Sequence, residues 1–395
     1  MSGGFRIGKI FGINIRIDWS WFFIFLLVTW NLAIIFGQLH QDWGLVLRWG
    51  LALIGSLLFF GSVLAHELAH SLYARSKGVP IRSITLFLFG GVSNIQREPE
   101  SPGQEFVMAV VGPLTSLVIG AIFLLIGGAI GTPDVGAAPA PGSLLTTLGP
   151  VSTILLVLGS INIILGIFNL VPGFPLDGGR VLRSILWGIT GNLRRATRWA
   201  TWVGQAIAWL FIIGGIAMAF GVNLPLLGTG LIGGLWLAFI GWFLYSAATQ
   251  SYQQVVIQDV LEGVPVSRMM RSNPPTVSPD ISVDALVYEH VMQTDDYAFP
   301  VIEDDHLTGI VTLQDVRGIP REQWNERTVS EIMTPAPELV TVTPTQDADE
   351  ALEKLSSRDV RQLPVMDDGH MVGLVRRQDI IKWLQLHSES DFERE

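Results

Sequence analysis

Long apolar runs, separated by short polar segments, fill the first 250 residues of this 395-residue chain. A run of ~20 apolar residues is long enough to cross the hydrocarbon core of a bilayer as one α-helix. The pattern therefore predicts about six transmembrane helices, at roughly Trp19–Gly37, Val46–Lys77, Gln104–Ile130, Leu148–Val171, Trp199–Phe220 and Leu224–Ala247.

Two segments of this region follow a different pattern. In residues 5–18, isoleucines alternate with polar residues, and this period of two indicates a short, half-buried strand. Residues 79–97 are rich in β-branched and aromatic side chains and are interrupted by Gly90-Gly91, so we expect a β-hairpin or a re-entrant loop there. Residues 172–180 contain two prolines and three glycines, which predicts irregular backbone instead of helix.

The composition is that of a membrane protein. Hydrophobic residues make up 49% of the chain and charged residues 15%, and the mean hydropathy of +0.45 is too high for a soluble enzyme of this size. Cysteine is absent, which excludes disulfides and thiolate metal ligands. Residues 1–252 have a net charge of +5 and residues 253–395 one of −15. We therefore expect a membrane domain and an acidic soluble domain, whose charge argues against nucleic acid as a partner.

Basic residues in the loops indicate the orientation of the chain in the lipid bilayer. Among the loops of residues 1–252, those on the side opposite the N-terminus contain Arg48 alone. Twelve basic residues lie on the N-terminal side: Arg6, Lys9, Arg16, Arg75, Lys77, Arg82, Arg97, Arg180, Arg183, Arg194, Arg195 and Arg198. Because loops rich in Lys and Arg remain in the cytoplasm, we expect a multi-pass cell-membrane protein with a cytoplasmic N-terminus and a cytoplasmic acidic domain.

The second apolar run contains the pattern H-E-x-x-H, at His66, Glu67 and His70. Helical residues four apart project from one face, so the two imidazoles can share one metal ion. Neutral imidazoles suit Zn²⁺, and a neighbouring carboxylate that is not a ligand can accept a proton as general base. The run from Leu51 to Ala65 has no charged residue, and ionisable groups at membrane depth are costly. The pattern therefore predicts the active-site helix of a metalloprotease and not a chance match of the motif on a helix surface.

A catalytic zinc usually has three protein ligands, so a third is needed beside the two histidines. Asp177 is the best candidate, because it directly follows the fourth span, which runs in the same direction as the second. We expect it to meet His66 and His70 toward the cytoplasmic side, and an ordinary surface turn is the alternative for this residue. The other carboxylates of the membrane domain lie at span ends or in loops: Asp18, Asp42, Glu98, Glu100, Glu105 and Asp134.

Three segments together resemble the site-2 protease family of intramembrane zinc metalloproteases (M50-like peptidases). They are HELAH at residues 66–70, the pattern G-P-L-x-S at 112–116 and NLVPGFPLDGG at 169–179. The resemblance covers about residues 1–250.

The resemblance implies a role for each residue of the candidate site. His66, His70 and Asp177 would bind one catalytic Zn²⁺, and Glu67 would be the catalytic base. Asn169 would help to hold the substrate or the developing oxyanion, and a helix–helix hydrogen bond is the alternative for it.

The acidic domain contains an internal repeat. The second copy follows the first by 63 or 64 residues, and each copy reads as strand, helix, strand, strand, helix. The segments FPVIEDDHLTGIVTLQDV and LPVMDDGHMVGLVRRQDI resemble cystathionine β-synthase (CBS) domains. The resemblance predicts a tandem pair, with one copy at about residues 258–320 and the other at about 326–386.

Tandem CBS domains commonly bind adenine nucleotides. The resemblance therefore implies a site for ATP, ADP or AMP at Thr312, Asp315 and Asp379, whose hydroxyl and carboxylates suit phosphate and ribose groups. Arg376 stands where the pattern has Thr or Ser, so one competent site is favoured over two. A purely structural role, or a homodimer formed through the CBS pair, is the alternative.

The sequence thus predicts a multi-pass α-helical membrane protein with a small membrane-associated β element and a cytoplasmic α/β tandem CBS domain. We expect an intramembrane zinc endopeptidase that cuts a transmembrane helix of a membrane-protein substrate, in regulated intramembrane proteolysis. Such a helix must unwind locally before its carbonyls can react, and the strands of residues 79–97 and of the N-terminus could hold it by β-addition. The alternative is a CBS-regulated ion transporter or channel, in which His66, Glu67 and Asp177 would form an ion path.

Overall fold

The computed structural model describes residues 4–79, 81–95, 99–131, 148–225, 228–358 and 360–392. The chain divides into two compact units, Met1–Tyr252 and Gln253–Glu395. Long apolar helices and one small sheet form the first unit, and two similar α/β repeats form the second.

The long helices follow the predicted apolar runs. In chain order they are α1 (Trp19–Leu39), α2 (Leu45–Ser76), α3 (Pro102–Ile130), α4 (Pro150–Asn169), α5 (Asp177–Thr190), α6 (Leu193–Ala219) and α7 (Leu231–Leu261). Within the described residues, all of these except α5 are long and apolar enough to cross a membrane, which confirms six transmembrane helices. The last begins later than predicted, because Gly221, Gly228 and Gly230 adopt left-handed backbone before it.

The predicted β element is a four-stranded sheet. Its strands are β1 (Phe5–Ile10), β2 (Ile13–Ile17), β3 (Ile81–Phe87) and β4 (Gly90–Ile95), in that spatial order. The pairs β1–β2 and β3–β4 are antiparallel, and β2–β3 is parallel. Residues 79–97 thus contain a hairpin, and the N-terminal segment supplies two strands where one was predicted. Buried Ile13, Ile15 and Ile84 pack with Leu64 and Leu68 of α2, which places the sheet beside the H-E-x-x-H motif.

The prediction of irregular backbone throughout residues 172–180 is wrong for its second half, because α5 begins at Asp177. The two glycines that follow do not break this helix; they allow close packing of backbone on backbone. A Cβ on Gly178 would lie 2.3 Å from the carbonyl oxygen of Leu170, and one on Gly179 would lie 2.4 Å from the amide nitrogen of Phe174. The glycines therefore let the preceding loop fold tightly onto the first turn of α5.

The second unit repeats one arrangement with a shift of 64 residues. Its strands are β5 (Ala298–Glu303), β6 (His306–Thr312), β7 (Thr334–Pro335), β8 (Gln362–Asp367) and β9 (His370–Arg376). Its helices are α8 (Val283–Ala285), which continues as a π turn at Leu286–His290, α9 (Leu313–Arg317), α10 (Val329–Ile332), α11 (Ala348–Ser357) and α12 (Arg377–Phe392). The first predicted strand of each copy is only an isolated parallel bridge, Val277 to Val301 and Val342 to Val365.

The start of each repeat packs into the core of the other. Val329, which opens the second copy, is buried with Val277 and Phe299 of the first. Val266, which opens the first copy, is buried with Val342 and Leu363 of the second. This exchange of apolar side chains joins the two repeats into a single folded body.

Candidate metal centre

The two histidines of the H-E-x-x-H motif lie on one face of α2. The Nε2 atoms of His66 and His70 are 3.2 Å apart, as expected for residues one helical turn from each other. Both side chains are buried, with only 5% and 6% of each residue exposed. The motif therefore presents two imidazoles at one point inside the membrane unit.

Asp177, the first residue of α5, reaches the same point. Its Oδ2 atom lies 3.0 Å from the Nε2 atom of His66 and 3.3 Å from that of His70. Among the described residues, these three form a group of potential ligand atoms that all lie within 4.8 Å of one another. The structure thus brings together the three residues predicted as metal ligands.

The donor set fits zinc. Four ligands held tetrahedrally at about 2.0–2.2 Å from Zn²⁺ are roughly 3.3–3.6 Å from one another, close to the separations found here. The Nδ1 atom of His70 lies 2.5 Å from the carbonyl oxygen of Met108, and a carbonyl only accepts, so this nitrogen carries the proton. The Nε2 atom of His70 then presents a lone pair beside the Asp177 carboxylate, an arrangement that a cation stabilises.

Helix α3 orients both imidazoles from behind. The Nδ1 atom of His66 lies 2.9 Å from the hydroxyl oxygen of buried Ser116, and His70 donates to the Met108 carbonyl. Gly112, which lies between Met108 and Ser116 in the chain, lets α3 approach the imidazoles closely, because a Cβ there would stand 2.1 Å from the His70 Nε2 atom. Sequence reasoning missed the contributions of Met108 and Ser116, although G-P-L-x-S contains the serine. The small and hydroxyl residues spaced along this face of an apolar helix could have indicated that another helix packs closely there.

A buried ion pair joins α3 to α5. The Nε atom of Arg183 donates to the Oε1 atom of Glu105 over 2.6 Å, and its Nη2 atom contacts the same oxygen. Arg183 also lies over the ring of Phe174, 5.3 Å from its centroid. The pair therefore ties the helix that begins with Asp177 to the helix that orients the histidines. Sequence reasoning placed Glu105 at a span end and gave it no role.

Glu67 lies beside the three candidate ligands and faces the sheet. Its Oε2 atom accepts a hydrogen bond of 2.8 Å from the hydroxyl of Ser93 on β4. The side chain is half-buried and is not one of the converging ligand group. A carboxylate held next to a metal position, and not used as a ligand, can act there as a general base.

Asn169 is the last residue of α4, half-buried and eight residues before Asp177 in the chain. The loop from residue 170 to 176 connects it to α5. Its predicted part in holding the substrate stays a prediction.

Comparison with known proteins places this sequence in a family. A model described as Peptidase family M50 matches residues 54–211, and the CBS domain model matches residues 266–321 and 329–386. The protein sll0528 of Synechocystis sp. is 35% identical over 98% of this chain and 96% of its own length. Rip3 of Mycobacterium tuberculosis is 32% identical over 98% of this chain and 94% of its own length. Both are named as zinc metalloproteases.

The chain belongs to peptidase family M50. A solved structure, the site-2 protease from Methanocaldococcus jannaschii, is 28% identical and covers 62% of this chain and 94% of its own, with a TM-score of 0.41. Membership of this family, whose full-length relatives are named as zinc metalloproteases, makes the chain a zinc metalloprotease with CBS domains. The six apolar helices found among its described residues make it a multi-pass membrane protein.

The predicted nucleotide-binding residues of this M50 protein lie at corresponding places in the two CBS repeats. The Thr312 hydroxyl donates to the Oδ2 atom of Asp315 over 2.7 Å, and the two residues form a capping box at the start of α9. In the second repeat, Arg376 donates to both carboxylate oxygens of Asp379 and to Asp296. The hydrogen bonds that Arg376 donates to Asp379 are the main cause that raises the pKa of Arg376 above its usual value.

Proposed function

We propose that this M50 metalloprotease hydrolyses a peptide bond within a transmembrane helix of another membrane protein. The observation that carries this proposal is the location of the candidate site. His66, Glu67 and His70 lie on α2, a 32-residue apolar helix long enough to cross the membrane, and Asp177 meets them from α5. A proteolytic site at that depth is suited to a peptide bond that is itself in a membrane span.

The residues of the site have distinct tasks in this reaction. His66, His70 and Asp177 would hold one zinc ion, which when bound activates water and polarises a peptide carbonyl. Glu67 accepts the proton released by the attacking water and delivers it to the leaving amine. Asn169 holds the carbonyl oxygen as negative charge develops on it.

The test is a panel of single-span membrane proteins presented to the full chain and to the Glu67→Gln variant. We expect the wild type to cleave at least one of them, and the variant to lose at least about 10²-fold in rate because the proton acceptor is gone. Zinc content should be the same in both proteins. Full cleavage by the variant would contradict the role of Glu67, and a lack of zinc in the wild type would contradict the proposed centre.

The edge of the sheet would hold the substrate. A helix hides its carbonyls in hydrogen bonds, so the scissile segment must unwind, and an unwound segment can pair with an exposed strand edge. β4 is at the end of the strand order and lies against Glu67 through Ser93. We place the substrate segment along β4, antiparallel or parallel to it.

Cysteine cross-linking tests this placement cleanly, because the chain has no cysteine of its own. Val92 on β4 is 47% exposed. In the Glu67→Gln background, Val92→Cys should form disulfides with single cysteines placed along a panel substrate that the wild type cleaves. Cross-linking at every second substrate position would support an extended strand, and a period of three to four would contradict it. The control is Ile7→Cys on β1, 54% exposed at the opposite end of the same sheet, which should not cross-link.

Both termini are proposed to face the cytoplasm, so that cleavage occurs near the cytoplasmic side and releases a cytoplasmic fragment of the substrate. The twelve-to-one bias of basic loop residues supports this orientation. A membrane-impermeant maleimide applied to intact cells should label a cysteine at exposed Asp42 and leave one at exposed Asn192 unlabelled. The reverse labelling would invert the orientation.

Residues 1–252 would perform the proteolysis, and the CBS pair in residues 253–395 would bind an adenine nucleotide and regulate it. The resemblance at Thr312 and Asp315 supports one nucleotide site in the first repeat. Equilibrium dialysis of the full chain should detect binding of ATP, ADP or AMP, and the bound nucleotide should change the cleavage rate. Measurable binding with an unchanged rate would remove the regulatory role.

A CBS-regulated transporter or channel is not favoured. An ion path requires neither H-E-x-x-H on one helix face nor a third ligand from another helix, and the full-length relatives described above are named as zinc metalloproteases.

A further inference from the structure

Strand β4 contacts Glu67 through two residues of the same strand face. Ser93 donates to the Oε2 atom of Glu67 over 2.8 Å. Gly91 lies beside the same side chain, since a Cβ there would stand 2.4 Å from the Cγ atom and 3.3 Å from the Oε1 atom of Glu67. Residues two apart in a strand share a face, so these two contacts are made by one side of β4 and Val92 projects from the other.

The serine is itself held in place by α2. The hydroxyl of Ser71 donates to that of Ser93 over 3.1 Å, and Ser71 is buried one helical turn after Glu67. A serine hydroxyl has one proton to donate, and the shortest contact of Ser93 is with Glu67. The chain of hydrogen bonds therefore runs from Ser71 to Ser93 to the carboxylate.

We propose that Ser93 is a positioning residue for the general base, and that it links the substrate-binding edge of the sheet to the chemistry. The hydrogen bond engages one carboxylate oxygen, and Gly91 leaves room for the other. The carboxylate plane is then fixed, with one oxygen directed away from the serine to accept the proton. A substrate strand that pairs with β4 would hold this strand against α2 and so set the orientation of Glu67.

This inference rests on the proposed function, and it predicts a specific kinetic result. In Ser93→Ala, we expect kcat for a cleaved panel substrate to fall about tenfold, because a misoriented base transfers protons less efficiently, while KM changes by less than about twofold. Ser93→Thr keeps the hydroxyl and suits a strand, so it should restore kcat to within about twofold of the wild type. If Ser93 only filled space, threonine would not restore the rate, and the alanine variant would not lower kcat while leaving KM unchanged.

Two further measurements do not depend on activity, and two further variants test the path of the hydrogen bonds. Zinc content should be unchanged in Ser93→Ala, and the yield of the Val92→Cys cross-link should stay the same, because the backbone edge still binds the substrate. Ser71→Ala should lower kcat by a smaller factor than Ser93→Ala. The matched control is Ser62→Ala on α2, whose buried hydroxyl bonds the Phe59 carbonyl and which should leave kcat unchanged.

The outcomes separate this inference from the function on which it rests. If the wild type cleaves a substrate and Ser93→Ala cleaves it equally fast, the positioning role is overturned and the protease remains. If Ser93→Ala loses zinc, or if threonine does not restore kcat, the residue has a merely structural role and the inference is again overturned. If the wild type binds zinc and cleaves none of the panel, the proposed function fails first.

Discussion

The candidate metal centre of the membrane unit and the predicted nucleotide site of the CBS unit differ in how their polar groups are satisfied. At the metal centre, the ring nitrogens of His66 and His70 and the carboxylate of Asp177 converge with separations of 3.0–3.3 Å. In the CBS unit, the hydroxyl of Thr312 and the carboxylate of Asp315 bond to each other. The first cluster directs its potential metal ligands at a common point, and the second pairs a hydrogen-bond donor with an acceptor.

This difference bears on what each cluster can bind. In the neutral imidazole of His70, the Nε2 lone pair faces the Asp177 carboxylate, and two such acceptors repel each other unless a cation lies between them. The candidate metal centre therefore suits a metal ion. A capping box is stable without one, and a nucleotide that uses the Thr312 hydroxyl must replace an existing hydrogen bond. Nucleotide binding should therefore be weaker than zinc binding, and the occupancy of the nucleotide site should change with the nucleotide concentration.

The largest effect is expected from Gly112→Ala. The added Cβ would stand 2.1 Å from the Nε2 atom of His70, so either the imidazole or helix α3 has to move. Because the nitrogen that moves is a candidate ligand, we expect loss of bound zinc and a fall in cleavage of about 10²-fold or more. Zinc content by atomic absorption and the cleavage rate measure both effects.

Gly128→Ala is the matched control on the same helix. Among the described residues, no atom outside the helix's own backbone lies within 4 Å of the position of its Cβ, and alanine is a better helix former than glycine. Zinc content and rate should stay at the wild-type values. Wild-type zinc in the Gly112 variant would show that close approach of α3 is not needed for the centre.

Much of the membrane unit could be predicted from the sequence because its signals are strong. Length and apolarity alone located the spans, and the four-residue spacing of the histidines survives in any helix. The start of α5 at Asp177 could not be predicted, because Gly178 and Gly179 are used there for backbone contact with the preceding loop, and only the folded structure shows that contact.

The supporting residues of the centre were hidden for a similar reason. Met108 contributes only its backbone carbonyl, which no sequence pattern reveals. Ser93 and Glu105 are polar residues of a strand and a helix end, and their partners are 26 and 78 residues away in the chain. Contacts of this kind depend on tertiary packing, whereas the proposed roles of His66 and Asp177 follow from residue type and order.

An ion pair in each unit gives the second comparison. Arg183 and Glu105 have side chains that are 3% and 0% exposed, whereas those of Arg376 and Asp379 are 26% and 18% exposed. Arg183→Met leaves the buried Glu105 carboxylate with the more distant Arg180, whose Nε atom lies 3.8 Å from the Oε1 atom, and should lower the free energy of unfolding by at most about 3–5 kcal/mol. Arg376→Met acts on a pair with access to water, and the less exposed Asp296, which Arg376 also contacts, keeps its ion pair with Arg271 at 2.9 Å. The loss should therefore be no more than about 1 kcal/mol.

Chemical denaturation of the detergent-solubilised full chain, followed by tryptophan fluorescence, measures both losses, because each unit contains tryptophan; Trp324 and Trp383 lie in the CBS unit. The double variant Glu105→Met with Arg183→Met removes both charges, and we expect it to recover much of the stability lost in Arg183→Met. Equal losses in the two single variants would mean that burial does not set the strength of these pairs.

The smallest effect is expected at Thr312, where stability and binding can be separated. Its hydroxyl accepts from the amides of Gln314 and Asp315 at 3.2 and 3.3 Å, so Thr312→Ala removes the cap of α9 and should cost about 1 kcal/mol. Hydrogen exchange in the full chain measures the loss of this cap directly, as faster exchange of the Gln314 and Asp315 amides. Thr312→Ser keeps the hydroxyl and should retain both amide protection and adenine-nucleotide binding, whereas Thr312→Ala should lose both. Nucleotide binding that persists in the alanine variant while the amides lose protection would show that Thr312 serves only as a helix cap, and the polar cluster of the CBS unit would then be complete without a ligand.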